Sequence, residues 1–174
     1  ADSDTFDGGA DIDTLDYSSQ AGVTSVAVTL SGATFASVTL SGADNDLVAN
    51  VENIIGSSGN DVLAGDNLTN ILTGGAGNDT LSGHGGSDTL IGGADTDTVD
   101  YSDQIGINFI SVTLNGASDA VVTVDGDAND TIREIENVIG STGNDLIIGD
   151  LLANTLNGFE GDDTLVGGAG IDLI

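Results

Sequence analysis

The chain has 174 residues, enough for one domain or an elongated array, and a formal net charge of −28 with one Lys/Arg and one His. With no basic patch to displace phosphate counterions, nucleic acid is excluded as a natural partner, and an anionic membrane surface would repel it. The counter-charge must be a cation, and hard oxygen ligands favour Ca²⁺. The elements follow in chain order. Asp4 and Phe6 are the tail of a nine-residue repeat, and GGADIDTLD at 8–16 is the next, with Asp13 in sixth place and Leu15 in eighth. The acidic opening is not that of a signal peptide. A variable linker, 17–55, contains the alternating stretch Val23–Leu30, which predicts a strand.

From Gly56 the repeat is strict: GSSGNDVLA, GDNLTNILT, GGAGNDTLS, GHGGSDTLI and GGADTDTVD run to residue 100. Gly opens each. The sixth place is Asp61, Asn70, Asp79, Asp88 and Asp97, and the eighth is Leu63, Leu72, Leu81, Leu90 and Val99. A second linker, 101–139, holds the strand-like stretches Ile107–Leu114 and Ala120–Val124. The run resumes at Gly140 as GSTGNDLII, GDLLANTLN, GFEGDDTLV and GGAGIDLI, with Asp145, Asn154, Asp163 and Asp172 in sixth place. GGADIDTLDYS at Gly8 recurs as GGADTDTVDYS at Gly92, and ENIIGSSGND at Glu52 as ENVIGSTGND at Glu136, both offset by 84 residues. The expected division is therefore two superrepeats, 1–91 (with a partial preceding repeat at 1–7) and 92–174.

The nonapeptide has a physical reading. Its Gly-rich first four places allow a tight turn with φ > 0, and its last three residues make a short strand. In GGAGNDTLS, Leu81 points one way while Thr80 and Ser82 point the other. Two nonapeptides close one coil, so residue i stacks on i+18 and the eighth-place aliphatics line a narrow core. The fold class is all-β, a parallel β-roll (β-solenoid). The sixth-place Asp residues stack too, and a divalent cation between coils resolves their repulsion, with carboxylates and turn carbonyls as ligands. Asp61 with Asp79, Asp79 with Asp97, and Asp145 with Asp163 join intact turns. Asn70 with Asp88 and Asn154 with Asp172 join a degenerate turn to an intact one and are expected to bind weakly or not at all; Leu68 and Leu152 also occupy glycine-like places there.

The runs GGAGNDTLS and GGAGIDLI resemble the RTX (hemolysin-type calcium-binding) repeat family, and the linkers with DTLDYS, DTVDYS and ENVIGS look like those between repeat blocks of large bacterial surface RTX proteins. The resemblance implies Ca²⁺ as the bound metal. It also implies backbone ligands at places one and three: the carbonyls of Gly56, Ser58, Gly74, Ala76, Gly92, Ala94, Gly140, Thr142, Gly158 and Glu160. With Asp4, Asp13, Asp61, Asp79, Asp88, Asp97, Asp145, Asp163 and Asp172 these make up the expected metal-site set.

No catalytic residue is expected. His84 stands alone in a turn, short of both a triad and a zinc site. The paired carboxylates are periodic, as a metal column requires, rather than one odd pair. Arg133, beside Glu134 and Glu136, is expected to be a surface ion-pair partner, and Tyr17 and Tyr101 to be structural. Glu52 and Glu136 either cap the core or donate a ligand, and the sequence leaves both open. Asp11 and Asp95 replace Gly at place four, where an added ligand is one reading. The expected role is a calcium-dependent structural module of a secreted or surface-attached bacterial protein such as an adhesin, filament or matrix component. It would fold on extracellular Ca²⁺ and continue into further repeats or end-to-end copies, with no membrane insertion. The alternative is the noncatalytic calcium module of a secreted RTX protease, lipase or epimerase.

Overall fold

The computed structural model describes residues 3–41, 45–104, 107–125 and 129–174. Among these residues there is no helix. The first half holds β1 (Thr5–Asp7), β2 (Thr14–Asp16), β3 (Val26–Thr29), β4 (Ala36–Leu40), β5 (Asp46–Ala49), β6 (Asn53–Ile55), β7 (Val62–Ala64), β8 (Ile71–Ala76) and β9 (Thr80–Ser82). The second holds β10 (Thr89–Ala94), β11 (Thr98–Asp100), β12 (Ile110–Thr113), β13 (Ala120–Val124), β14 (Asp130–Arg133), β15 (Asn137–Ile139), β16 (Leu146–Ile148), β17 (Thr155–Asn157) and β18 (Thr164–Val166).

In the strict runs, each strand pairs in parallel with the strand 18 residues away, as Val62↔Thr80 and Thr89↔Ile71 show. The chain thus alternates between two sheets, a parallel β-roll. The eighth-place side chains Leu63, Leu72, Leu81, Leu90 and Val99 are fully buried between the sheets. Their neighbours point outward, as the two-residue period of a strand requires. Phe6 and Ile174, which hold the same place near the two ends of the chain, are exposed. Glycine is needed where coils touch. Gly93 has φ +117°, and a Cβ there would collide with the Gly75 carbonyl of the preceding coil.

The linkers depart from the regular coil. Each is a three-strand antiparallel excursion inside one sheet: β3–β4–β5 and β12–β13–β14. The chain jumps ahead along the roll to form β3, which pairs in parallel with the later β7, then folds back until β5 lies in parallel beside β1. The β3–β4 turn is closed by Thr34 N–H donating to the Ser31 carbonyl and by Ser31 Oγ donating to the Thr34 carbonyl at 2.7 Å. Val26, Val28, Val38, Leu40 and Val48 carry the core through the first excursion, and Ile110, Val112, Val122, Val124 and Ile132 through the second. Across an excursion the stacking offset changes from 18 to 39 residues (Thr14↔Asn53) or 42 (Thr5↔Leu47).

Among the described residues the sheet orders are β1-β5-β4-β3-β7-β9-β11-β15-β17 and β18-β16-β12-β13-β14-β10-β8-β6-β2. The first excursion lies in one sheet and the second in the other. The cause is parity. Nine strands, β2 to β10, separate β2 from its 84-residue equivalent β11, so equivalent strands fall on opposite sheets. Two inserted strands on one side are balanced by two on the other, and each sheet ends with nine strands.

Candidate metal centre

The parallel stacking lines the sixth-place residues into columns along the turns. In every expected pair the earlier residue's backbone N–H donates to a side-chain oxygen of the later one. Asp61 N donates to Asp79 Oδ1 at 2.8 Å, Asp79 N to Asp97 Oδ1 at 2.8 Å and Asp145 N to Asp163 Oδ1 at 2.9 Å. Asn70 N donates to Asp88 Oδ1 and Asn154 N to Asp172 Oδ1. One oxygen of each later residue is therefore fixed by the coil, and the second oxygen decides what the position can do.

At Asp61 the second oxygen has its own donors. Ser57 N reaches Oδ2 at 2.5 Å, while Ser57 Oγ and Val26 N bond Oδ1. Asp145 repeats this with Ser141 and Ile110. Asn70 and Asn154 use their amides: Nδ2 donates to the Glu52 or Glu136 carbonyl, and Oδ1 accepts from Asp66 or Asp150 N. A carboxylate there would face a carbonyl with no proton between them, which explains why both degenerate turns carry Asn. In the excursions, Asp46 and Asp130 join the same columns, and Tyr17 and Tyr101 hydroxyls donate to their Oδ2 atoms at 2.9 Å. Burial and the adjacent carboxylate push both phenols up.

Asp79 and Asp97 differ. Each is essentially inaccessible, and the Oδ2 of each is buried with no hydrogen-bond partner; Asp13 Oδ2 is likewise buried without one. A buried, unpaired carboxylate oxygen is costly unless a cation meets it. Burial, with Asp61, Asp97 and Asp95 close by, pushes Asp79 up to about 7 against the pull of its bond from Asp61 N–H. Burial and the charges of Glu136, Asp95 and Glu134 push Asp97 up to about 6. Such groups ionise at neutral pH only at an energetic cost that a divalent cation removes. The donor set fits calcium: carboxylate oxygens with turn carbonyls beside them. Among the described residues no three acidic or His side chains form a group able to hold a metal ion, so each position has to draw on backbone oxygens. Place-one carbonyls are at hand. A Cβ on Gly56 would fall on both the Asp61 carboxylate and the Gly74 carbonyl, and one on Gly140 on Asp145 and the Gly158 carbonyl. The place-three residues Ser58, Ala94, Thr142 and Glu160 lie exposed on the turns, with Ala76 partly buried beside Ala94 in the β8–β10 ladder. Asp4 is exposed and stacks on Asp46 through its N–H.

The remaining polar residues have structural partners. His84, at φ 62°, meets Asp103 with Nε2–Oδ2 at 2.9 Å. Arg133 pairs with Asp119 at 3.7 Å rather than with the neighbouring Glu134 and Glu136, because β14 turns its side chain outward toward the loop before β13. Asp11 and Asp95 adopt φ of 74° and 81°, so the aspartates at place four keep the left-handed turn.

The Tyr–Asp anchor gives a stability prediction. Tyr17→Phe removes the only donor shown to Asp46 Oδ2 in a buried site, and is expected to cost about 1–3 kcal/mol. Thermal unfolding in calcium should show the loss, and native mass spectrometry should show an unchanged number of bound ions.

The comparisons agree with this geometry. The chain matches the family profile of the RTX calcium-binding nonapeptide repeat (4 copies) over residues 42–67, 64–99 and 139–174. These segments make up more than half of the sequence, and the chain belongs to this repeat family. The repeats bind calcium, and the chain is a calcium-binding structural module. No curated protein matches it.

Proposed function

We propose that the chain is a calcium-dependent structural segment of a secreted or surface-attached bacterial protein, an adhesin, filament or matrix component, that folds when it meets extracellular Ca²⁺. The buried, unpartnered Oδ2 atoms of Asp79 and Asp97 carry this reading. They make the fold incomplete without a cation, so metal binding supplies folding free energy directly. Cytosolic calcium is too low to fill such sites, and millimolar external calcium is not. The ligand set is Asp13, Asp79, Asp88, Asp97, Asp163 and Asp172 with the place-one and place-three carbonyls; Asp61 and Asp145 close the columns with hydrogen bonds to Ser57 and Ser141. The 84-residue units 1–91 and 92–174 act as the building blocks of a longer rod, because alternation of the excursions between sheets lets units add without accumulating a bend. The chain itself carries no catalysis.

Folding titrated against free calcium tests the reading. Far-ultraviolet circular dichroism should show little β structure at submicromolar Ca²⁺ and a cooperative rise toward the millimolar range. A full β signal in excess chelator at neutral pH would overturn it.

A further inference from the structure

The carboxylate column does not stop where the strict repeats stop. Asp61 N donates to Asp79, Asp79 N to Asp97, and Asp97 N in turn to Glu136 Oε2 at 2.9 Å. Glu136 is not a nonapeptide residue. It lies 39 residues on, in the short turn between β14 and β15 that brings the chain back from the second excursion. That turn nonetheless supplies both groups that a nonapeptide would. In the regular coils, a Cβ on Gly56 or Gly140 would strike the same turn's Asp carboxylate and the place-one carbonyl of the next coil. On Gly92 it would strike the Asp97 carboxylate and the carbonyl of Glu134. The Glu134 carbonyl thus stands where a place-one glycine carbonyl stands elsewhere, and the Glu136 carboxylate stands where a sixth-place Asp does.

A nonapeptide spans five residue steps from its carbonyl to its carboxylate, and this turn spans only two. The turn is tight, with Glu134 at φ 55°. The extra methylene of glutamate gives its carboxylate a longer reach from the shortened backbone. The first unit repeats the arrangement. Asp13 N donates to Glu52 Oε2 at 2.9 Å, Asn50 holds φ 51°, and a Cβ on Gly8 would strike Asp13 and the Asn50 carbonyl.

What points to a ligand is the atom left over. Asp97 is fully buried, its Oδ2 has no hydrogen-bond partner, and that oxygen lies against Gly92 together with the Glu134 carbonyl. Asp13 Oδ2 is in the same condition in the first unit. Carboxylate oxygens and a carbonyl oxygen face one another with no proton donor among them. Only a cation satisfies such a set, and an all-oxygen set of this kind suits Ca²⁺.

We propose that Glu136 and Glu52 are calcium ligands that close two junction sites outside the nonapeptide pattern, Asp97–Glu136 with the Glu134 carbonyl and Asp13–Glu52 with the Asn50 carbonyl. The proposal rests on the columns being calcium sites. It makes each excursion a calcium-clamped joint, so that the roll is held by metal where its regular stacking is interrupted.

Counting bound ions by native mass spectrometry on the whole chain, with circular dichroism in millimolar calcium as the folding check, tests it. Glu136→Gln keeps an oxygen to accept the Asp97 N–H but loses the charge. It is expected to bind one ion fewer than the wild type, Glu52→Gln one fewer, and the double variant two fewer. An unchanged count in folded Glu136→Gln and Glu52→Gln would overturn the proposal and leave the glutamates as hydrogen-bonding caps. If Glu136→Gln does not fold, Glu52→Gln decides alone, because Asp13 is less buried than Asp97 and its loss is less damaging. A wild-type chain that binds no calcium at all would instead overturn the underlying calcium reading.

Discussion

In calcium-free buffer, lowering the pH from about 7.5 to about 5 is expected to increase the β-sheet signal of this chain, whereas in millimolar calcium the same acidification should weaken it. The sign follows from Asp79 and Asp97. Burial pushes their folded-state values up to about 7 and about 6, from an ordinary value of 3.8. Between that ordinary value and the raised ones, the folded chain holds more protons than the unfolded chain, so stability falls as pH rises through this window. Below the window both states are protonated and the penalty is absent; above it the penalty is complete. Protonation also lowers the self-repulsion of a chain with net charge −28. Calcium reverses the balance because it needs the same oxygens ionised, so protons compete with it and its apparent affinity should drop across the window. Circular dichroism against pH, with and without calcium, checks both arms. Parallel pH curves in the two buffers would contradict the assignment of these carboxylates as the metal-linked groups.

Much of this was legible because a nine-residue period determines three things at once: where the chain turns, which side chain enters the core, and which carboxylates stack. The burial of Leu63 to Val99 and the hydrogen-bonded pairs Asp61–Asp79 and Asp79–Asp97 follow from that period alone. The excursions did not follow from it. Val23–Leu30 and Ala120–Val124 read as strands, but their pairing depends on where the chain goes after it leaves the coil, and strand alternation is the same in parallel and antiparallel neighbours. β4, β5 and β14 were missed as elements, although Asn45-Asp46 and Asn129-Asp130 repeat the Asn-Asp of the turns at Asn60-Asp61 and Asn144-Asp145. That dipeptide was the available signal that the column continues through the excursions. The switch of sheet between the two excursions required counting strands, which the residue offset of 84 hides.

The second-oxygen distinction was also out of reach of the repeat pattern, because all sixth-place aspartates look alike in sequence. Ser57 and Ser141 at place two, and Tyr17 and Tyr101 far from Asp46 and Asp130, provide donors that remove the need for a cation. The columns are therefore built from hydrogen-bonded members at their ends and excursions and unpartnered members such as Asp79 and Asp97 between them. Such a division gives the apo chain local turns that need no metal, on which a calcium-driven roll can nucleate.

Asp79→Ala is expected to raise the calcium midpoint for folding far more than Asp88→Ala. Asp79 lies between Asp61 and Asp97, accepting from the first and donating its N–H to the second. Its loss orphans the Asp61 N–H and takes a carboxylate from the two inter-coil positions it borders. Asp97 is then left with its buried charge less compensated, and breaking one member of a buried charge set in this way costs about 3–5 kcal/mol. Asp88 lies between Asn70 and Asp130, to which it is joined by the same backbone bonds. Both neighbours have donors of their own, an amide in one case and the Tyr101 hydroxyl in the other, so losing Asp88 disturbs no unpartnered charge beside it. Asp79→Asn separates charge from shape. It keeps an oxygen for the Asp61 N–H, so its midpoint should fall between those of the wild type and Asp79→Ala. Calcium titrations followed by circular dichroism would rank the variants, and equal midpoints for Asp79→Ala and Asp88→Ala would show that the columns do not distinguish their members in this way.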